Sequence, residues 1–187
     1  MHNYTVLGLI VKRTNFGEAD KIITLFTHSR GKVTAMARVV RKISSKRGGS
    51  LELFNLVKAS VHTGRGDLDT LGEVQVLDTF PAWRMHLGRV SMAFQLAEAI
   101  DKLTPDREAH PKIFELLCSN LSEISSLGSD WKITSDNWLV EIVQELGYWP
   151  KTKSFTGNIY EFIESITSRP LHSPRLLKRL SQGVIYK

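Results

Sequence analysis

The segment Arg38-Val39-Val40-Arg41-Lys42-Ile43-Ser44-Ser45-Lys46-Arg47-Gly48-Gly49 carries five of the chain's 25 Lys and Arg and contains no acid. Ammonium and guanidinium groups at this density break no bonds, but they neutralise phosphates. The Ser-Ser and Gly-Gly pairs favour a loop over a helix face. A cationic loop suits a polyanion, whose phosphates require charge but no single fixed geometry. An ordinary solvated loop has the same composition, so the surrounding sequence must decide between the two.

No other grouping points to bond-making chemistry. The six His (His2, His28, His62, His86, His110 and His172) never pair at i, i+3 or i, i+4, and neither His-Glu-x-x-His nor Gly-x-Ser-x-Gly occurs. Asp67 and Asp69 beside a Gly-rich turn could touch a metal, but turn chemistry is the simpler reading. Glu18 and Asp20 after Gly17 could serve acid/base catalysis, but a turn with side-chain-to-backbone hydrogen bonds is the simpler reading. Gly64-Arg65-Gly66 lacks the following helix start and Lys-Ser/Thr of a phosphate loop. The single Cys118 forms no intrachain disulfide and reads as a small apolar residue in a helix. The expectation is therefore no catalytic residue, no metal and no cofactor.

The charge is unevenly spread. Residues 1–65 hold 12 Lys and Arg against 3 acids, a net of +9, while the remainder nets −3. That asymmetry points to nucleic-acid contact through the first part and another task for the second. The candidate nucleic-acid ligands are Lys12, Arg13, Lys32, Arg38, Arg41, Lys42, Lys46, Arg47 and Arg65. At 42% hydrophobic and 24% charged residues the composition is that of a globular chain. No apolar run approaches the roughly 20 residues a spanning helix needs. The opening Met1-His2-Asn3-Tyr4 runs directly into a strand pattern, so no signal peptide and a cytoplasmic location are expected.

Elements must position these residues. Tyr4–Val11, Lys21–Thr27, Lys32–Val39, Leu51–Thr63 and Thr70–Thr79 read as five strands, with Gly8 marking a bulge or a close backbone approach. In the third, Val33, Ala35, Ala37 and Val39 alternate with Lys32 and Arg38 on the opposite face. Five such strands fit a small barrel of the OB type. After Phe80 the period changes to that of helices. One helix carries Trp83, Leu87, Val90, Phe94, Ala97 and Ile100; a second starts at Pro111. A third is expected to be capped by Ser135, a short fourth by Thr156, and a last one opens at Ser173-Pro174. The fold class is α+β, with an OB-fold over residues 1–80 and a helical bundle over 81–187.

Several stretches together resemble the recombination mediator family RecO. They are Thr5-x-x-Gly8-Leu9-Ile10-Val11, Gly17 through Thr27, Gly31-Lys32-Val33, Ala37-Arg38, the basic loop, Leu51 to Phe54, Gly64-Arg65 with Leu68 to Leu71, Glu73, and Leu146-Gly147-Tyr148-Trp149-Pro150. The resemblance is dense over residues 5–80, sparser over the helices and weak after Pro150. It implies binding of single- and double-stranded DNA, annealing of complementary strands, nucleoid association, and partnership with RecR and single-strand-binding protein while recombinase is loaded. The acidic tail of the latter would need an apolar groove rimmed by cations, for which Arg84, Arg89, Lys112 and Lys132 are candidates. One departure stands out. Many family members carry a four-Cys zinc motif after the Leu-Gly-Tyr-x-Pro segment, whereas no Cys follows Pro150 here. Composition alone also allows an OB-fold RNA-binding protein of translation or RNA processing, a phosphoryl-transfer enzyme, or a scaffold in which the basic loop is incidental.

Overall fold

A computed structural model describes residues 3–38, 49–64 and 68–173 of the chain. Five strands, β1 (Asn3–Phe16), β2 (Asp20–Thr27), β3 (Gly31–Ala37), β4 (Leu56–His62) and β5 (Asp69–Asp78), close into a barrel in the order β1-β2-β3-β5-β4. Four helices follow: α1 (Leu87–Leu103), α2 (Pro111–Glu123), α3 (Trp131–Glu145) and α4 (Ile159–Thr167). The expected α+β order, a five-stranded OB-type barrel and then helices, is the one observed. By its contacts the chain divides into a first unit of Met1–Phe80 with Thr104–Glu115, and a second of Pro81–Leu103 with Leu116–Lys187.

The barrel core follows from alternation. Val33, Ala35 and Ala37 of β3 point inward with Ile23 and Leu25 of β2, Val57, Ala59 and Val61 of β4, and Leu71 of β5, each at most 2% exposed. β1 is long enough to serve two neighbours, pairing with β4 through residues 3–9 and with β2 through residues 8–16. A bulge between Ile10 and Lys12 turns it from one to the other. Gly8 is the close approach rather than the bulge: a Cβ there would lie 3.1 Å from Thr27 Cγ2 and 3.3 Å from Phe26 O.

The strand expected from Leu51 begins only at Leu56. Gly49–Leu51 is a 3-10 turn, and the Asn55 amide donates to the carbonyls of Gly49 and Ser50 at 3.0 and 3.2 Å. Phe54 sits at φ +65°, a left-handed conformation no strand can continue through.

In the second unit three helix starts differ from expectation. Pro81–Trp83 is a 3-10 turn, and the buried Trp83 donates its indole N–H to Leu121 O at 2.9 Å, so α1 opens at Leu87. α3 opens at Trp131, four residues before Ser135, whose hydroxyl lies inside the helix and donates to Gln95 Oε1 of α1 at 2.9 Å. Asn158 caps α4, its side chain accepting from the amides of Tyr160 and Glu161; Thr156 lies too far upstream to do so. Trp149, Phe155 and Phe162 meet edge to face at centroid distances of 5.3 to 5.6 Å and hold the turn after Pro150 against α4. The helix expected from Pro174 lies outside the described residues.

Glu98 of α1 fixes the segment before that point. Its carboxylate accepts the Ser173 hydroxyl at 2.6 Å and the amides of His172 and Ser173, each at 2.8 Å, and Lys102 lies 3.4 Å away. Burial works to raise its pKa, but the Ser173 hydroxyl, the two amides and Lys102 outweigh burial and hold it below the usual 4.5. A depressed folded-state pKa contributes stability above about pH 4.5 that is lost as pH falls through the folded value. Glu98→Gln is expected to destabilise the chain by about 1–2 kcal/mol at pH 7. In urea melts at graded pH its deficit against the parent chain should shrink below pH 4.5; a deficit unchanged at pH 3 would contradict this assignment.

Candidate nucleic-acid interface

Strand register brings some of the basic residues together at one end of the barrel. Asn15 of β1 pairs with Lys21 of β2, which pairs with Ala37 of β3. The exposed Arg38 follows immediately. Two residues along, Arg13 pairs with Ile23, and Ile23 with Ala35. Arg13 also reaches Glu52 Oε1 at 2.6 Å, next to the Gly49–Leu51 turn. Arg38 therefore follows the register row of Ala37 on β3, and the Gly49–Leu51 turn lies against Arg13 on β1, whose row is two residues along. Lys12 is exposed just past the bulge. Phe16, 47% exposed, ends β1 in the same region. Its register partner is the acid Asp20, with Lys21 next along β2; a half-exposed ring can stack on a base while cations hold its phosphates. Arg41, Lys42, Lys46, Arg47 and Arg65 lie outside the described residues.

Lys32 occupies a different environment. Alternation correctly puts it opposite Val33, but the 104–110 segment covers that face. Its side chain is only 7% exposed, and Nζ lies 3.3 Å from Asp106 Oδ1. Lys21 and Phe16 were not among the expected ligands; the β2–β3 register is what reveals Lys21, and sequence alone leaves that register open.

A second basic cluster has no local sequence signal. Asp69, 1% exposed at the start of β5, accepts the Tyr4 hydroxyl at 2.8 Å and an Arg107 N–H at 3.2 Å. Arg107 stands at φ +60°, and its backbone N–H donates to Lys32 O at 3.0 Å. Arg30 lays its guanidinium 4.2 Å from the centroid of the Tyr4 ring. Among the described residues no group of three or more His, Cys, Asp or Glu is placed to share a metal ion.

The four cations expected to receive a partner do not share one setting. Arg84 lies 5.3 Å from the Trp83 ring centroid and Lys132 5.5 Å from that of Trp131. Arg89 donates to the carbonyls of Ile124 and Leu127, where it caps a helix end. Lys112 belongs to the first unit, the other three to the second. Gly88 comes so near Trp131 that a Cβ would lie 3.1 Å from its ring, which joins the starts of α1 and α3. Around that junction Met85, Leu87 and Ile133 are 90%, 59% and 64% exposed. No helix among the described residues is long and apolar enough to cross a membrane.

Comparison with known proteins adds a separate line. Residues 1–80 match the family described as recombination protein O N terminal, and residues 84–155 match recombination protein O C terminal. The chain is 32% identical over 152 residues to a DNA repair protein RecO of Dehalococcoides mccartyi, covering 81% of this chain and 59% of that protein. It is 37% identical over 127 residues to the protein of that name in an Anaeromyxobacter species, covering 67% and 50%. A Symbiobacterium thermophilum protein so named is 30% identical over 154 residues, covering 82% and 60%. The matched region thus spans half to three-fifths of these relatives.

The Asp69 cluster makes a direct prediction. Burial first, then the hydrogen bond to Asp69 and its charge, push the Tyr4 hydroxyl from 10.0 up to about 12. A raised folded-state pKa gives stability that is whole below pH 10 and is lost as pH rises through about 12. Tyr4→Phe should lower stability at pH 7 by about 1 kcal/mol. Its deficit should narrow between pH 10 and 12 when both proteins are melted in denaturant. A Tyr4→Phe protein as stable as the parent at pH 7 would contradict the pairing.

Proposed function

The chain belongs to the recombination protein O family, and from that premise we propose that it is a DNA-binding recombination mediator of DNA repair. In this reading it has no catalytic centre and needs no cofactor. It binds single- and double-stranded DNA, anneals complementary strands and helps load recombinase onto strands coated by single-strand-binding protein. It works in the cytoplasm at the nucleoid, with RecR as a second partner. The barrel of residues 1–80 carries the nucleic acid, and the helical part after Phe80, apart from Thr104–Glu115, faces the partner.

The observation that carries the reading is where the basic run emerges. Its described ends, Arg38 and Gly49–Leu51, lie beside Lys21 and Arg13 on a closed barrel, and Lys12 and Phe16 extend the same region. Cations there shed condensed counterions from a strand, so affinity falls steeply with salt and depends little on sequence. For annealing that is the useful profile, because two strands must be held without reading either one.

For the acidic, apolar-ended tail of single-strand-binding protein, the junction of α1 and α3 is the best-supported seat. Met85, Leu87 and Ile133 supply apolar contact, with Arg84 and Lys132 at its edge. Arg89 is occupied by helix carbonyls and Lys112 lies in the other unit, so neither is assigned to it.

Replacing Arg41, Lys42, Lys46 and Arg47 together by Ala should weaken binding to unrelated oligonucleotides alike. The log–log salt slope should fall by about 0.7 for each phosphate of a single strand that is no longer neutralised. Annealing of two complementary oligonucleotides, followed by fluorescence quenching at two salt concentrations, should slow in parallel. Unchanged slope and annealing rate would remove the basic run from the interface, and binding confined to RNA would replace DNA as the ligand. Separately, Arg84→Glu with Lys132→Glu should lower affinity for an acidic tail peptide about tenfold and leave oligonucleotide affinity as it was. If the peptide instead competes with DNA and ignores these two changes, its seat is on the barrel.

A further inference from the structure

We propose that the cavity lined by Tyr4, Ser29, Arg30, Val33 and Arg107 is a second anion site, built to take a phosphate group at the end of the barrel away from the basic run. The cavity measures about 370 Å³. It opens where β3 begins, whereas the basic run leaves where β3 ends. Val33 in the lining stands four residues before Ala37, or about 13 Å along the strand.

Its two guanidiniums are held by different means. Arg30 lies over the Tyr4 ring at 4.2 Å, and no ion pair joins it to a carboxylate among the described residues. Stacking through its face leaves the N–H groups at its edge for an acceptor in the plane of the fork. Arg107 spends one N–H on Asp69 at 3.2 Å while its side chain stays 59% exposed. Asp69 is in turn satisfied by the Tyr4 hydroxyl, so the buried carboxylate orients Arg107 without closing the cavity. Arg30 and Arg107 are the two charged residues of the lining, which Ser29 completes with a hydroxyl-bearing side chain.

The walls are fixed in advance. Gly31 stands at φ +62°, and a Cβ on it would fall 1.9 Å from Glu108 O, so the 104–110 segment lies directly on the turn that carries Ser29 and Arg30. Preorganised guanidiniums lose little freedom when they bind a tetrahedral oxyanion. The source of the phosphate rests on the nucleic-acid reading above: a strand's terminal phosphate and its internal diester both offer anionic non-bridging oxygens.

The test uses the whole chain, Arg30→Gln and Arg30→Lys. Melting is recorded in inorganic phosphate and in chloride at equal ionic strength. Affinity is measured for one oligonucleotide bearing either a 5′-phosphate or a 5′-hydroxyl. Phosphate should raise the melting temperature of the parent, act less on Arg30→Lys and not act on Arg30→Gln. Arg30→Gln should also bind DNA about tenfold more weakly. Loss confined to the phosphorylated oligonucleotide makes the terminal phosphate the occupant; equal loss with both makes it the backbone. If Arg30→Gln keeps the phosphate response and both affinities, the site is overturned even where the basic-run variant has lost DNA. If the phosphate response depends on Arg30 but the parent chain binds no DNA, the cavity stands and the DNA reading falls.

Discussion

The Asp69 carboxylate sits at the narrowest seam of the barrel, where β3 and β5 meet in parallel through only two register pairs, Ala35 with Asp69 and Met36 with Thr70. A carboxylate in that position, 1% exposed, is tolerable only with partners. Tyr4 supplies one from β1 and Arg107 the other from the 104–110 segment. Leaving such a buried acceptor one hydrogen bond short costs about 1–3 kcal/mol. The seam therefore depends not only on ladder hydrogen bonds but on one charge on β5 whose two partners lie on two other pieces of chain. The bonds to Tyr4 and Arg107 also place Arg107 at the cavity and hold the Tyr4 ring where Arg30 stacks.

The second unit solves a related problem with a network of side-chain hydrogen bonds. Gln95 of α1 accepts the Ser135 hydroxyl of α3, and the Tyr160 hydroxyl of α4 donates to Asp136 at 2.6 Å. Burial and that bond push the Tyr160 hydroxyl well above its ordinary pKa, so it remains a donor throughout the working range. Apolar surfaces let helices slide; directional bonds of this kind allow one register and penalise others.

Strand period, the turn at Ser29-Arg30-Gly31 and the break at Phe80 could be read from the sequence because each is a local property of the backbone. The expected side of Lys32 was also right, since alternation fixes the face of the strand. Its burial was not legible, because Asp106 and its neighbours arrive from far along the chain. For the same reason the Asp69 cluster left no trace: its bonds join residues 65 and 38 positions apart, and no period encodes them. Helix starts failed more narrowly. Ser135 and Thr156 are sound capping residues by type, but Asp130 and Asn158 hold the N-cap positions. At the site, the basic run and Arg13 were legible as charge, whereas Lys21 and Phe16 became visible only through the register of β1, β2 and β3.

The first unit is discontinuous: Thr104–Glu115 belongs to it, and Pro81–Leu103 between them belongs to the second. This sets an order of events during synthesis. When Phe80 has left the ribosome every strand of the barrel exists, yet Arg107, the counter-charge to Asp69, has still to be added. The ion pair at that seam must wait while the 23 residues of Pro81–Leu103 emerge, a long-range contact of the kind that forms slowly. Nascent chains arrested soon after residue 80 would carry a complete set of strands with Asp69 held by Tyr4 alone and its counter-charge still unmade.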